Sequence, residues 1–79
     1  MIKLKLKIAT QEYVEYYYIP EDKGTPGEIR TIISNNDTSI IRHTETDNFA
    51  GRYAFKASKA IEGCVERKIF PLEFIQAWN

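Results

Sequence analysis

Within the first ten residues, MIKLKLKIAT, apolar and basic side chains alternate without a fault from Ile2 to Ile8. Ile2, Leu4, Leu6 and Ile8 fall on one side and Lys3, Lys5 and Lys7 on the other, the period-two signature of a strand with one buried and one solvated face. A second strand is predicted at Tyr13 to Ile19, rich in aromatic and β-branched residues. Pairing residues whose numbers sum to 22 sets Leu4 against Tyr18, Leu6 against Tyr16 and Ile8 against Val14 on one face. The other face then matches Lys5 with Tyr17 and Lys7 with Glu15. A slip of one residue would oppose Leu6 to Glu15 and spoil both faces, so the register is specific. The pattern therefore predicts a hairpin through Thr10-Gln11-Glu12, although that loop has no glycine.

Pro20 stops the second strand, and Glu21 to Gly27 (EDKGTPG) reads as loop. Beyond it two readings compete. Thr25-Pro26-Gly27-Glu28 fits a helix start, with Ile29, Ile32 and Ile33 at helical spacing, but that helix would be barely two turns long. Alternation of Ile29, Thr31 and Ile33, followed by the turn cluster Asn35-Asn36-Asp37, favours a second hairpin, Glu28–Ser34 with Ser39–Thr44.

The strongest helical pattern follows Thr44. Phe49, Tyr53, Ala57, Ala60, Ile61, Cys64 and Val65 form one apolar stripe, with Thr46 or Asp47 as cap, and predict a helix over Asn48–Arg67. Gly63 weakens it slightly and would permit another backbone to come close. After Pro71, the positions Leu72, Phe74, Ile75 and Trp78 suggest a short terminal helix, Leu72–Trp78. The expected fold is α+β in one domain, residues 1–79. An antiparallel sheet of about four strands, two hairpins, is covered on one face by a long C-terminal helix and followed by the terminal one. Its core should hold Ile2, Leu4, Leu6, Ile8, Val14, Tyr16, Tyr18, Ile33, Phe49, Tyr53, Ala57, Ile61, Val65, Phe74 and Trp78.

Several short pieces spread over the chain, Tyr17-Tyr18-Ile19-Pro20, Pro26-Gly27-Glu28-Ile29, Tyr53-Ala54, Phe70-Pro71 and Ala77-Trp78, resemble a class of small bacterial proteins of unknown function. The resemblance implies architecture, a strand at Glu28–Ile33 and a C-terminal helical part ending on a packed tryptophan. It transfers no functional residues.

Composition narrows the chemistry. Eleven Lys and Arg balance eleven Asp and Glu, which excludes a polybasic nucleic-acid protein and an acidic DNA mimic. One cysteine excludes a disulfide framework, and one histidine leaves few ways to build a metal centre. A Cys64–His43 pair would need a shared cleft, whereas Cys64 sits on the apolar stripe, where a free thiol behaves as a small hydrophobe. The glycines at 24, 27, 51 and 63 form no phosphate loop, and Glu45 and Asp47 are explained by helix capping. No catalytic, cofactor or metal residues are expected, and the chain is read as non-enzymatic. The lysines interrupting the N-terminal strand argue against a signal peptide there, and no window is apolar enough to span a membrane. With an unpaired Cys64, the cytoplasm is the expected location.

Two functional readings remain. The first is macromolecular contact with a protein partner or a second copy, through an exposed sheet face bearing Tyr13, Tyr17, Ile19, Lys3 and Lys5. The stems of Lys3 and Lys5 would otherwise cover the rings. The alternative is weak nucleic-acid binding through Lys3, Lys5 and Lys7, or through Arg52, Lys56 and Lys59 on one helix face, the two stripes lying on opposite sides. Against it, alternating lysines are also how a sheet keeps one face wet and an edge from sticking to other chains.

Overall fold

The structure is a computed structural model that describes residues 1–21, 24–44 and 52–77. Its elements are β1 (Ile2–Ala9), β2 (Tyr13–Pro20), β3 (Gly27–Ile32), β4 (Asp37–Arg42), α1 (Arg52–Arg67) and β5 (Glu73–Gln76). The strands form one antiparallel sheet in the order β4-β3-β2-β1-β5, and α1 packs on one of its faces. The α+β architecture is as expected. The sheet has five strands rather than about four, and the segment expected to form a terminal helix is β5 where it is described.

The first hairpin follows the sum-of-22 register from Ile2↔Pro20 to Leu6↔Tyr16 and then departs from it. A bulge between Leu6 and Ile8 shifts the pairing to Ile8↔Glu15 and Ala9↔Val14. Because paired residues share a face, the bulge turns Ile8 away from the core, and it is 42% exposed. The expected Ile8–Val14 contact is thereby lost. The extra residue lets Lys7 reach Glu15 on β2 and Glu28 on β3 together. The glycine-free turn is held by Thr10, whose Oγ1 accepts from the N–H groups of Glu12 (3.1 Å) and Tyr13 (3.0 Å). A threonine hydroxyl thus supplies what a glycine turn would do by conformation alone.

β2–β3 and β3–β4 continue the meander, so the hairpin reading of this region holds and the short helix does not form. The core face carries Ile2, Leu4, Val14, Tyr16, Tyr18, Ile29 and Thr31, all buried. α1 answers this bulk with small residues, Ala54 and Ala57, beside Ile61 and Val65. Leu6, Ile33, Tyr53 and Phe74 pack at the margin of that cluster, as do Ala60 and Phe70. Ile29, Ala54 and Thr31 were missing from the expected core. Phe49, Trp78, the caps at Thr46 and Asp47 and the expected helix start at Asn48 lie outside the described residues.

Buried tyrosines need partners for their hydroxyls. Tyr16 donates to the Pro71 carbonyl at 2.6 Å, and Tyr18 accepts from the Thr44 N–H at 3.3 Å. The bond from Tyr16 ties the core to the chain that leads into β5. There Phe74 meets the Tyr16 ring edge-on, centroids 5.7 Å apart, and Leu6 N–H donates to the Leu72 carbonyl at 2.8 Å. These contacts draw the segment alongside β1. A strand there satisfies the free edge of β1, which a helix would leave unpaired.

At the other end of the sheet, the β3–β4 turn is tied to α1. Asn36 Nδ2 donates to the Glu62 carbonyl and Thr38 Oγ1 to the Glu62 carboxylate, both at 3.3 Å. α1 itself ends in paired bonds from Lys68 N–H to Val65 O and from Ile69 N–H to Cys64 O, with Lys68 in the left-handed region at φ 58°. This is the Schellman arrangement, with lysine in place of the usual glycine. Gly63 admits no second backbone. The guanidinium of Arg67 folds over it, 3.1 Å from where a Cβ would stand.

Candidate functional site

Odd-numbered residues of β2, with Lys3 and Lys5 and, beyond the bulge, Ile8 of β1, point away from α1, and register extends the same face across β3, β4 and β5. Successive rows read Ile19, Lys3, Ile75; then Arg42, Glu28, Tyr17, Lys5, Glu73; then Ser39, Arg30, Glu15, Ile8; then Asp37, Ile32, Tyr13, while Lys7 is the bulge residue between Lys5 and Ile8 and reaches this face through Glu15 and Glu28. The five residues expected to form an interaction surface, Tyr13, Tyr17, Ile19, Lys3 and Lys5, do share this outer face. Lys7 joins them. Arg52, Lys56 and Lys59 lie on α1, across the core from it, so the two basic stripes do not act on one ligand strand.

The centre of the face is a chain of ion pairs. Arg42 Nη2 is 2.9 Å from Glu28, Lys7 contacts both Glu28 and Glu15 (3.4 Å to the latter), and Arg30 grips Glu15 through Nη2 at 2.6 Å and Nε at 2.7 Å. Burial differs sharply between the two signs. The Glu15 and Glu28 side chains are 6% and 12% exposed, whereas Arg30 and Arg42 are 44% and 52% exposed. The carboxylates are recessed beneath the cations that neutralise them. Each guanidinium has N–H groups beyond those in these bonds, since Arg30 uses two nitrogens on Glu15 and Arg42 uses Nη2, on Glu28 and the Pro26 carbonyl. Among the described strand residues of this face, the exposed carboxylates are Glu73, paired with Lys3 at 3.7 Å and Lys5 at 4.0 Å, and Asp37 on β4.

The rings are covered by cations other than those expected. Arg30 lies over Tyr13, 4.4 Å from the ring centroid, and Lys7 over Tyr17 at 5.7 Å. Lys3 and Lys5 turn instead to Glu73. The side-chain hydrogen bond with Lys7 is the main reason Glu28 holds its carboxyl below the usual value, helped by the charges of Lys7 and Arg42 and opposed by desolvation. The same bond raises Lys7 above its usual value.

Sequence pattern alone does not single out Arg30 and Arg42, because their role depends on strand alignment. Once β2, β3 and β4 are set as a meander, the alternation Glu28-Ile29-Arg30-Thr31 brings Arg30 beside Glu15, so the signal was present in the pattern. On α1, Lys59 stands 3.8 Å from Glu62 and over the exposed Phe55 ring at 5.4 Å, and Arg52 is exposed. Cys64 is buried, its thiol raised chiefly by desolvation and lowered in part by Arg67, while His43 is exposed. Among the described residues no group of three His, Cys, Asp or Glu side chains is arranged to hold a metal ion, and no helix is long and apolar enough to cross a membrane. No protein-family model, curated protein or solved structure matches the chain.

Proposed function

We propose that the protein acts by macromolecular contact, without catalysis, through the outer face of its sheet, and that the partner laid on that face is anionic. The supporting observation is the two-level electrostatics: Glu15 and Glu28 are sunk within the face while Arg30, Arg42 and Lys5 stand out of it. Over the centre of the face, between Glu73 and Asp37, a partner therefore meets donors and positive charge before it meets Glu15 and Glu28, even though the chain as a whole is neutral. The surface combines residues of both sequence-based readings, Tyr13 and Tyr17 from one and Lys7 from the other. A cytoplasmic setting goes with this proposal, supported by a single cysteine that has no second thiol to pair with.

Backbone amide shifts on addition of a heparin oligosaccharide at low salt test it. Shifts should cluster on the outer-face residues of β1–β4 and fall away in the doubly substituted Lys5→Gln, Arg42→Gln protein. Shifts confined to α1 around Arg52 and Lys59, or none, overturn it.

Self-association is the second reading, and the observation that favours it lies at the sheet's rim. β4 and β5 are the two edges; they expose Ile40, Ile41 and Ile75, with Leu72 exposed just before β5, whereas the lysine-rich β1, built as an edge would be, is an interior strand. Copies would then join edge to edge, with the outer face left free. Sedimentation velocity at low and high concentration should show a dimer that Ile75→Lys dissociates; a monomer throughout removes this reading.

A further inference from the structure

We propose that the anionic partner is single-stranded nucleic acid, its bases stacking on the Tyr13–Arg30 pair and on Tyr17 while its phosphates take the remaining N–H groups of the part-exposed Arg30 and Arg42. This rests on the outer face being the contact surface and adds the chemical class of what it holds. Three features of the face converge on that class.

The first is the pairing of flat groups with charge. Arg30 lies over Tyr13 with Cζ 4.4 Å from the ring centroid, and its side chain is 44% exposed, so a guanidinium and an aromatic ring share one accessible spot. Arginine planes and tyrosine rings are the two surfaces on which nucleobases stack without regard to sequence. The second is spacing. Tyr13 and Tyr17 lie four residues apart on β2, about 13 Å, which suits bases that are not neighbours in an extended strand. Between the two rings the cations of Lys7 and Arg30 stand above Glu15. The third is shape. A broad sheet face offers no protruding element to enter a duplex groove, which admits a helix or a two-stranded ribbon, whereas unstacked single-stranded bases can lie on it. An acidic peptide would use the cations and leave the ring and guanidinium planes idle.

The test compares four probes by fluorescence anisotropy over a salt series: a labelled oligothymidylate, an oligouridylate of the same length, a DNA duplex and polyglutamate. Single strands should bind most tightly, with a log–log salt slope of about −1.4, from ~0.7 for each of the phosphates at Arg30 and Arg42. Tyr17→Leu and Tyr13→Leu should each weaken the single strand by about tenfold through lost stacking and leave polyglutamate binding nearly unchanged. Arg30→Lys keeps a cation beside Glu15, so the fold survives, and should also weaken the single strand by removing the plane. Polyglutamate and single strands binding alike, with no effect of the tyrosine variants, overturns the nucleic-acid assignment and leaves the anionic-contact reading standing. A duplex that binds as well as the single strand overturns the stacking geometry. No binding of any probe at low salt overturns both.

Discussion

The ring of Tyr18 occupies the space where a Cβ at position 27 would stand. An ideal Cβ built on Gly27 lies 2.2 Å from Cε1 and 2.3 Å from Cζ of that ring. The two residues are direct cross-strand partners of β2 and β3, and the ring crosses β3 at the glycine to reach the Thr44 N–H with its hydroxyl. Glycine is required here for room, since its backbone is ordinary extended chain, and the aromatic covers the main chain that the missing side chain leaves bare. Tyr18 is fully buried and cannot swing aside.

Gly27→Ala should therefore cost about 3 kcal/mol, the upper end of overpacking penalties, read as a fall in the urea midpoint at unchanged m-value. Tyr18→Phe should cost about 1 kcal/mol through the lost acceptor for Thr44. In the Gly27→Ala, Tyr18→Leu double variant the two losses should sum to more than the observed cost, because the clash disappears with the ring. Additive losses would mean that the two side chains do not compete for one space.

The end of α1 supplies a prediction of opposite sign. Lys68 adopts φ 58° to close the helix, a conformation that costs a side chain about 1 kcal/mol and glycine almost nothing. Lys68→Gly should stabilise the protein by about 0.5–1 kcal/mol, with Lys68→Asn giving part of the gain and Lys68→Ala none. Four residues before Arg67, Gly63 has helical neighbours on both sides, and its alanine variant meets only the movable tip of Arg67. It too should gain up to about 1 kcal/mol, since alanine suits a helix interior better. Thermal melts of the three Lys68 variants and of Gly63→Ala decide these signs.

What the chain alone discloses ends where long-range partners begin. β1, β2 and α1 announce themselves because each carries a pattern long enough for its period to be unambiguous, and the register through Leu6↔Tyr16 follows from matching two such patterns. The bulge at Lys7 does not, because its reason, Glu28, belongs to a strand 21 residues further on. β5 was misread for a similar cause. Leu72, Phe74 and Ile75 fit a helix as readily as a strand over so short a stretch, and the vacant edge of β1 that decides the matter lies some seventy residues earlier in the chain. The outer face shows the same limit. Its tyrosines and lysines were visible as alternations within one strand, but the sinking of Glu15 and Glu28 beneath Arg30 and Arg42 is a property of four aligned strands.

Acid should loosen the molecule through that ladder. Glu28 titrates below its ordinary value of 4.5 in the folded state, so the unfolded chain takes up its proton first as pH falls. Stability from this group is complete above the ordinary value and is lost as pH drops through the lower folded one. Glu28→Gln should lower stability at neutral pH and flatten this part of the acid decline, measured as urea midpoints from pH 7 down to pH 3. The partner behaves conversely. Lys7 is raised, so its contribution is complete below its ordinary value and disappears as pH climbs through the folded one. An unaltered acid profile in Glu28→Gln would show that Lys7 and Arg42 do not hold this carboxylate in solution.

The alkaline limit should belong largely to Tyr16. Desolvation, with a smaller contribution from the neighbouring Cys64 thiol, pushes its phenol up to about 12 from an ordinary 10. Between these values the unfolded chain gives up the proton and the folded one keeps it, so stability is intact below pH 10 and declines toward pH 12. Ultraviolet difference spectra compared with those of Tyr16→Phe should show Tyr16 ionising late, and its ionisation should run together with loss of the helical circular-dichroism signal. Tyr16→Phe removes the titrating group but also the donor to the Pro71 carbonyl, so it should be less stable by about 1 kcal/mol at pH 7 yet fall less steeply above pH 10. Phe74→Ala tests the same corner without changing its titration. It removes the ring that meets Tyr16 edge-on and should cost about 2–3 kcal/mol, while admitting water to the phenol and drawing its ionisation back toward 10. A phenol still titrating near 12 in Phe74→Ala would mean that β5 has no part in shielding it.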